Sequence, residues 1–242
     1  MVRAPWEITT DMFLSLDEAA RLLAHVRAAA EREPSAAALV DRVVIEGLLF
    51  SGLRCSEFCA LTVADVRLDP AAPRFVVRGK RDAREVHLPR HVAELLRDYL
   101  RRLRPATIAA DARRSDAAQP FVLSERGQRM DRTTLYRRVV RVLSECGFAE
   151  RASVQLLRHT YGYLAYRLSG GNLLFVQRQL GHAHPMVTAI YASLVDEDYA
   201  AIADELSLKP SPRKARGAKN SPARTKRAPR TTSKKGDDHA RR

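Results

Sequence analysis

LLRHTYGYLAYRLSGGNLLFVQRQLGHAHPMVTAIYASL, residues 156–194, decides how this chain is read. Ser153, Asn172 and Pro185 each stand where a capping side chain or an initial proline opens a helix. Gly170 and Gly181 end the first two, and the third is predicted to run beyond Leu194. The stretch also carries chemistry. It places Arg158, then His182 in a Leu-Gly-His turn, then Tyr191 nine residues later, while a second arginine lies far upstream in SGLRCSEF, 51–58.

Outward from this stretch the signals are mostly helical. SLDE at 15–18 has a capping serine three residues before Glu18, and Leu16, Ala19, Ala20, Leu22, Leu23 and Val26 follow with helical spacing, so a helix is predicted over 16–31. After Pro34, Ala36–Phe50 is apolar round most of its circumference, as a helix at the centre of a helical domain must be, and Gly52 suits its end. SEFCAL predicts a short helix. Phe75–Val77 and Glu85–Leu88, separated by turn residues Gly79–Asp82, predict a β-hairpin with Lys80 at its tip. Helical spacing returns at 91–103, a loop is expected at 104–118 and a short strand at 121–124. Asp131 caps a basic helix over 132–145 that stops at Gly147, and a last helix is expected near 197–206. The predicted fold class is mainly α with a small antiparallel β-sheet (α+β). The expected division is an irregular lead-in at 1–14, one folded domain at 15–208 and a disordered basic tail at 209–242.

Composition narrows the function. A folded body near 200 residues buries roughly 70% of its unfolded surface, enough for a core without disulfides or metal. The 45% hydrophobic content is interrupted by charge everywhere, so no membrane span is predicted, and Met1–Thr10 lacks the apolar centre of a signal peptide. A cytoplasmic location is the expectation. Cys55, Cys59 and Cys146 include no CxxC pair and read as buried reduced thiols, and the His182/His184 pair alone is a poor metal site. Of the net charge of +14, residues 209–242 hold 13 Lys and Arg against 2 Asp, or +11, which leaves +3 on residues 1–208. That tail alternates Pro, Ser, Thr, Lys and Arg with almost no large apolar residue to offset the entropy of ordering. Arg213, Lys214, Arg224, Lys226 and Arg227 fall in or beside its SPRK and SPAR runs, which resemble the Ser-Pro basic repeats of linker-histone tails. A near-neutral body with a polycationic arm points to a nucleic-acid partner.

Breaking a phosphodiester without metal needs cations on the non-bridging oxygens, an in-line nucleophile and a proton donor for the leaving oxygen. Arg54 and Arg158 suit the first task because a guanidinium fork binds two phosphate oxygens and stays charged. Tyr191 suits the second, with adjacent guanidinium charges expected to favour its phenolate. Lys80 suits the third. Residues 1–208 contain 28 Arg and this single Lys, so a titratable amine is wanted at that position rather than charge alone.

Across roughly Ser15–Leu206 the chain resembles the tyrosine recombinase, or phage integrase, family. SGLRCSEF is similar to that family's T-G-L-R-x-S-E-L, LLRHTYGYL to H-x-L-R-H-T-F-A-T-x-L, and LGHAHPMVTAIYASL to L-G-H-x-x-x-x-T-x-x-Y-x-H. The resemblance implies that Arg54 and Arg158 hold the scissile phosphate, His182 hydrogen-bonds it, and Tyr191 forms a 3′-phosphotyrosyl bond as a 5′-hydroxyl leaves. Lys80 would protonate that oxygen, although the hairpin turn GKRDAR is one residue shorter than the family's G-K-G-x-K-x-R. Glu57 would support Arg54. Gln155 departs from the pattern, standing where the second box opens with His; it would orient the phosphate or Tyr191. His159 reads as a packing or supporting residue. No metal or nucleotide cofactor is implied. The implied partner is double-stranded DNA bearing recombination sites, held by a homo-tetramer with the 197–206 helix docked on a neighbour. The residues before Ser15 are too few for the helical core-binding domain that commonly precedes the catalytic one in this family. The rival expectations are a DNA-binding relic that exchanges no strands and a type IB topoisomerase.

Overall fold

In the computed structural model, residues 9–32, 35–79, 82–104, 118–124, 126–183 and 186–192 are described. Lys80, His184, Pro185, the expected loop over 105–117, the segment 197–206 and the tail 209–242 lie outside them.

Ser15 and Glu18 open α1 (Leu16–Arg32) reciprocally: the Glu18 amide donates to Ser15 Oγ at 3.2 Å and the Ser15 amide to Glu18 Oε2 at 2.9 Å. The helix buries Ala19, Leu22, Val26 and Ala30 at three- and four-residue spacing and packs on α2 (Ala36–Leu49). Residues 43–49 of α2 are all buried, including Glu46. Burial alone would raise the Glu46 carboxyl's pKa, but Arg27 of α1 (2.9 Å to each oxygen) and Arg42 (2.9 Å) hold it below the ordinary carboxylate value. A paired charge thus sits where periodicity predicts only apolar packing.

α3 (Cys55–Ala60) leads into a three-stranded antiparallel sheet of β1 (Val66–Arg67), β2 (Arg74–Arg78) and β3 (Ala83–His87), in that order. The predicted hairpin is β2–β3, registered Phe75↔Val86 and Val77↔Arg84. β1 is two residues long, too short for alternation to reveal. The inward face of the sheet reaches the core through Phe75, whose ring meets Phe58 and Phe121 at centroid distances of 6.3 and 5.9 Å.

α4 (Arg90–Asp98) continues into a π-helical turn, Tyr99–Leu103. Where a strand is predicted at 121–124, the chain makes only isolated bridges, Thr62↔Pro120 and Leu123↔Arg129. Its amides are divided among partners, Phe121 bonding Leu61 O at 2.8 Å and Leu123 bonding the Tyr99 hydroxyl at 3.2 Å, so no ladder forms. Asp131, Ser153 and Asn172 cap α5 (Arg132–Glu145), α6 (Val154–Leu168) and α7 (Leu173–Leu180), each side-chain oxygen accepting an amide at 2.9–3.0 Å. α8 (Met186–Ala189) has a single turn, because the Tyr191 amide closes on Thr188 O at 3.1 Å rather than continuing an α ladder.

Packing starts ahead of Ser15. Thr10–Met12 form a 3-10 turn, Phe13 and Leu14 are buried, and the Leu14 amide donates to Thr160 Oγ1 at 2.9 Å. Phe13 joins Tyr161, Tyr166, Val176, Leu180 and Tyr191 in a second apolar cluster. This cluster floors the site. The three cysteines are free and half-buried, and among the described residues no helix is long and apolar enough to cross a membrane.

Candidate active site

The end of α2, the start of α3, the middle of α6 and the end of α7 meet at one point. Gly52 makes the turn between α2 and α3 at a φ of 62°, a conformation costly to residues with a Cβ. A Cβ at Gly52 would stand 2.5 Å from Tyr161 Cδ1 and 2.6 Å from Leu180 Cδ2, so α6 and α7 close on the bare Cα. Arg158 is trapped beneath this closure, 3% exposed, with Nη1 donating to Gly52 O at 2.5 Å and Nη2 to Leu180 O at 2.9 Å. It makes no ion pair among the described residues. Burial first, then the Arg54 charge, lower its pKa to about 10, which still leaves it charged at neutral pH. A buried cation with carbonyl partners alone gains from an arriving anion.

Arg54 sits at the N-cap of α3 and is exposed. Glu57 Oε2 accepts its amide at 2.9 Å and Glu57 Oε1 its Nη1 at 3.0 Å. The same carboxylate takes a two-pronged bond from Arg84 of β3, Nη1 to Oε1 and Nη2 to Oε2, both at 2.9 Å. Burial opposes ionisation of Glu57, but the Arg84 and Arg54 hydrogen bonds and charges hold its carboxyl below the usual range. Arg84 Nε also reaches Gln179 O at 3.3 Å, tying the hairpin to α3 and α7 at once. In the sequence Arg84 stands only as the last residue of the GKRDAR turn. Alternation along β3 could have found it, since Arg84 shares a face with the buried Val86.

Gly181, left-handed at φ 66°, ends α7 and turns the chain to His182. His182 Nδ1 lies 2.9 Å from Thr188 Oγ1, and burial, followed by the charges of Arg158 and Arg54, depresses its pKa to about 4. The ring is therefore neutral at physiological pH, with Nδ1 occupied by Thr188. Tyr191 is 1% exposed, and its hydroxyl lies 3.2 Å from His159 Nδ1. His159 Nε2 in turn lies 3.0 Å from Gln155 Nε2. His159 thus lies within hydrogen-bond distance of both the Gln155 amide and the Tyr191 hydroxyl. It links Gln155 to Tyr191 rather than merely packing.

One expectation is corrected. Guanidinium charge was expected to favour the Tyr191 phenolate; Arg158 does pull its pKa down, but burial outweighs that pull and leaves it at about 12. Arg54, Glu57, Gln155, Arg158, His182 and Tyr191 are gathered around the helix ends, while Lys80 and the tail residues Arg213, Lys214, Arg224, Lys226 and Arg227 lie outside the described residues. Beside Arg54 is an open pocket of about 340 Å³ bordered by Arg132, Tyr136, Ser153 and Gln155. A larger groove of about 870 Å³ lies elsewhere, between α1, α2 and α5, and is crossed by Asp41 ion pairs with Arg138 and Arg141. Among the described residues no group of three or more His, Cys, Asp or Glu could hold a metal ion.

The sequence profile of the phage integrase family matches residues 12–198. The chain belongs to the phage integrase family. It is 32% identical over 161 residues to tyrosine recombinase XerD of Proteus mirabilis, covering 66% of this chain and 49% of that protein. It is likewise 32% identical over 155 residues to XerC of Pelobacter propionicus, covering 63% and 47%. The chain thus spans about half the length of these curated relatives. Its fold is similar to that of XerA recombinase, with a TM-score of 0.61, 26% identity and coverage of 84% of this chain and 65% of that one. It is also similar to XerH bound to palindromic difH substrate in a post-cleavage complex, with a TM-score of 0.64, 23% identity and coverage of 83% and 54%.

Proposed function

We propose that this phage integrase family member cleaves and rejoins double-stranded DNA at specific sites through a covalent tyrosyl intermediate. The observation that carries the reading is the convergence of Arg54, Arg158 and His182 beside Tyr191, with Arg158 charged, buried and, among the described residues, in no ion pair with a carboxylate. In this reading Arg54 and Arg158 neutralise the non-bridging oxygens of one phosphate and His182 hydrogen-bonds it through Nε2. Tyr191 Oη attacks phosphorus as its phenol proton passes to solvent water, the bond from phosphorus to the 5′-oxygen breaks, and Lys80 gives that oxygen a proton. Glu57 and Arg84 hold Arg54, and Gln155 orients Tyr191 through His159. The pocket flanked by Arg54, Arg132 and Tyr136 receives the adjoining backbone. No metal or nucleotide is required, because the phosphotyrosyl bond keeps the energy of the broken one. XerH, whose structure is bound to difH DNA, supports DNA as partner, and a homo-tetramer on paired sites is the expected assembly. The tail, with net charge +11 over 209–242, adds sequence-independent attraction.

The test is a nicked duplex that traps the covalent adduct, built from any inverted repeats located beside the gene and compared with Tyr191→Phe. An adduct lost in that variant is expected. No Tyr191-dependent adduct would favour a second reading, a DNA-binding protein that exchanges no strands, for which the burial of Tyr191 speaks. Supercoil relaxation without recombinant products would assign a topoisomerase instead.

A further inference from the structure

Tyr191 rests in a gap on the side of α6. A Cβ built on Gly162 would stand 2.2 Å from Tyr191 Cζ and 2.6 Å from both its Cε1 and its hydroxyl oxygen. Ordinary contact starts at 3.4 Å, so the smallest side chain at 162 would move the ring by roughly 1 Å or more. Gly162 lies in the interior of a fifteen-residue helix, with none of the positive φ that makes glycine necessary elsewhere. Glycine there costs about 1 kcal/mol relative to alanine. Helix formation does not explain the glycine; the approach of Tyr191 does.

We infer that Gly162 is a positioning residue: its bare Cα forms a berth that holds Tyr191 in a resting position, and the ring must leave this berth to reach a phosphate. The inference rests on the proposed role of Tyr191 as nucleophile. A phosphodiester in a duplex meets only the protein surface, whereas the Tyr191 side chain is 1% exposed with its hydroxyl turned to His159. The fraction of molecules ready to react is then set by how tightly the berth holds. Burial also keeps the berthed phenol protonated, with its pKa at about 12, so leaving the berth and losing the proton become easier together.

Gly162→Ala tests this directly, since alanine favours the helix while displacing the ring. Tetranitromethane nitrates accessible phenols, and peptide mass spectrometry reads Tyr191 against the exposed Tyr136 in the same chain. In the wild type, Tyr191 is expected to nitrate far more slowly than Tyr136; equal rates overturn the berth without recourse to any variant. In Gly162→Ala the Tyr191 to Tyr136 ratio is expected to rise roughly tenfold. Single-turnover adduct formation on the nicked duplex should then quicken by roughly three- to tenfold at unchanged DNA affinity. An unchanged nitration ratio overturns the inference, and so does a raised ratio with a slower adduct, which would make the berth the reactive position. If the wild type forms no adduct, the nucleophile reading fails by itself, and the nitration ratios still decide whether the berth exists.

Discussion

Glu57→Gln separates Arg54 from Arg84 with almost no change of shape. The wild-type carboxylate accepts four bonds of 2.9–3.0 Å: two from the Arg84 fork, one from the Arg54 side chain and one from the Arg54 amide. A glutamine keeps one acceptor oxygen and turns an amide nitrogen toward donors, so at least one guanidinium or backbone N–H loses its partner. The Glu57 and Arg84 side chains are 16% and 23% exposed, between a surface pair worth about 0–1 kcal/mol and a buried one whose breaking costs about 3–5 kcal/mol. The expected loss is about 2–3 kcal/mol. With a urea dependence of about 2–3 kcal/mol per M, the unfolding midpoint should fall by about 1 M. Because Arg84→Gln removes two of the same four bonds, the double variant should be less destabilised than the sum of the singles by about 1 kcal/mol or more. Adduct formation should fall by roughly tenfold or more, since Arg54 no longer has a fixed direction. A midpoint shift under about 0.2 M together with strict additivity would show that the network carries no energy, and the reasoning would be wrong.

Three further predictions follow from the same geometry. His182 has a pKa of about 4 in the fold against 6.5 unfolded, so the unfolded chain binds more protons between those values. Its contribution is complete above about pH 6.5 and is lost as pH falls toward 4; discounted for the half-exposed ring, it is about 1–2 kcal/mol, and His182→Gln should flatten that part of the stability profile. Gly52→Ala combines a left-handed backbone with contacts of 2.5 and 2.6 Å, and should cost about 2–4 kcal/mol in denaturant unfolding and weaken phosphate binding through Arg158. Gln155→His should speed adduct formation several-fold by putting a titratable ring beside His159; an equal or slower rate would show that this position does not limit turnover.

Much of the fold was legible because helix punctuation is local. Ser15, Asp131, Ser153 and Asn172 each bond an amide three residues on, a contact that sequence spacing alone specifies. The hairpin was legible for the same reason, alternation and turn residues being neighbours in the chain. β1 and the segment at 121–124 were not, because a two-residue strand has no period and the amides of 121–123 find partners at 61 and 99. Among the site residues, box spacing pointed to Arg54, Glu57, Arg158, His182 and Tyr191. It missed Arg84, whose value depends on a carboxylate 27 residues away, and undervalued His159, whose two partners lie on opposite sides in sequence.

The stretch 156–194 by itself specified the helix start at Asn172, the order of Arg158, His182 and Tyr191, and a chemistry suited to phosphate. Tertiary structure decided how those groups stand. Closure of α6 and α7 on Gly52 buries Arg158 with carbonyl oxygens in place of an anion, and the gap at Gly162 buries Tyr191 with its proton. Residue type and spacing specify which groups are available. Burial sets their charge and reach, because desolvation depends on every element that closes over a side chain and on none of them alone.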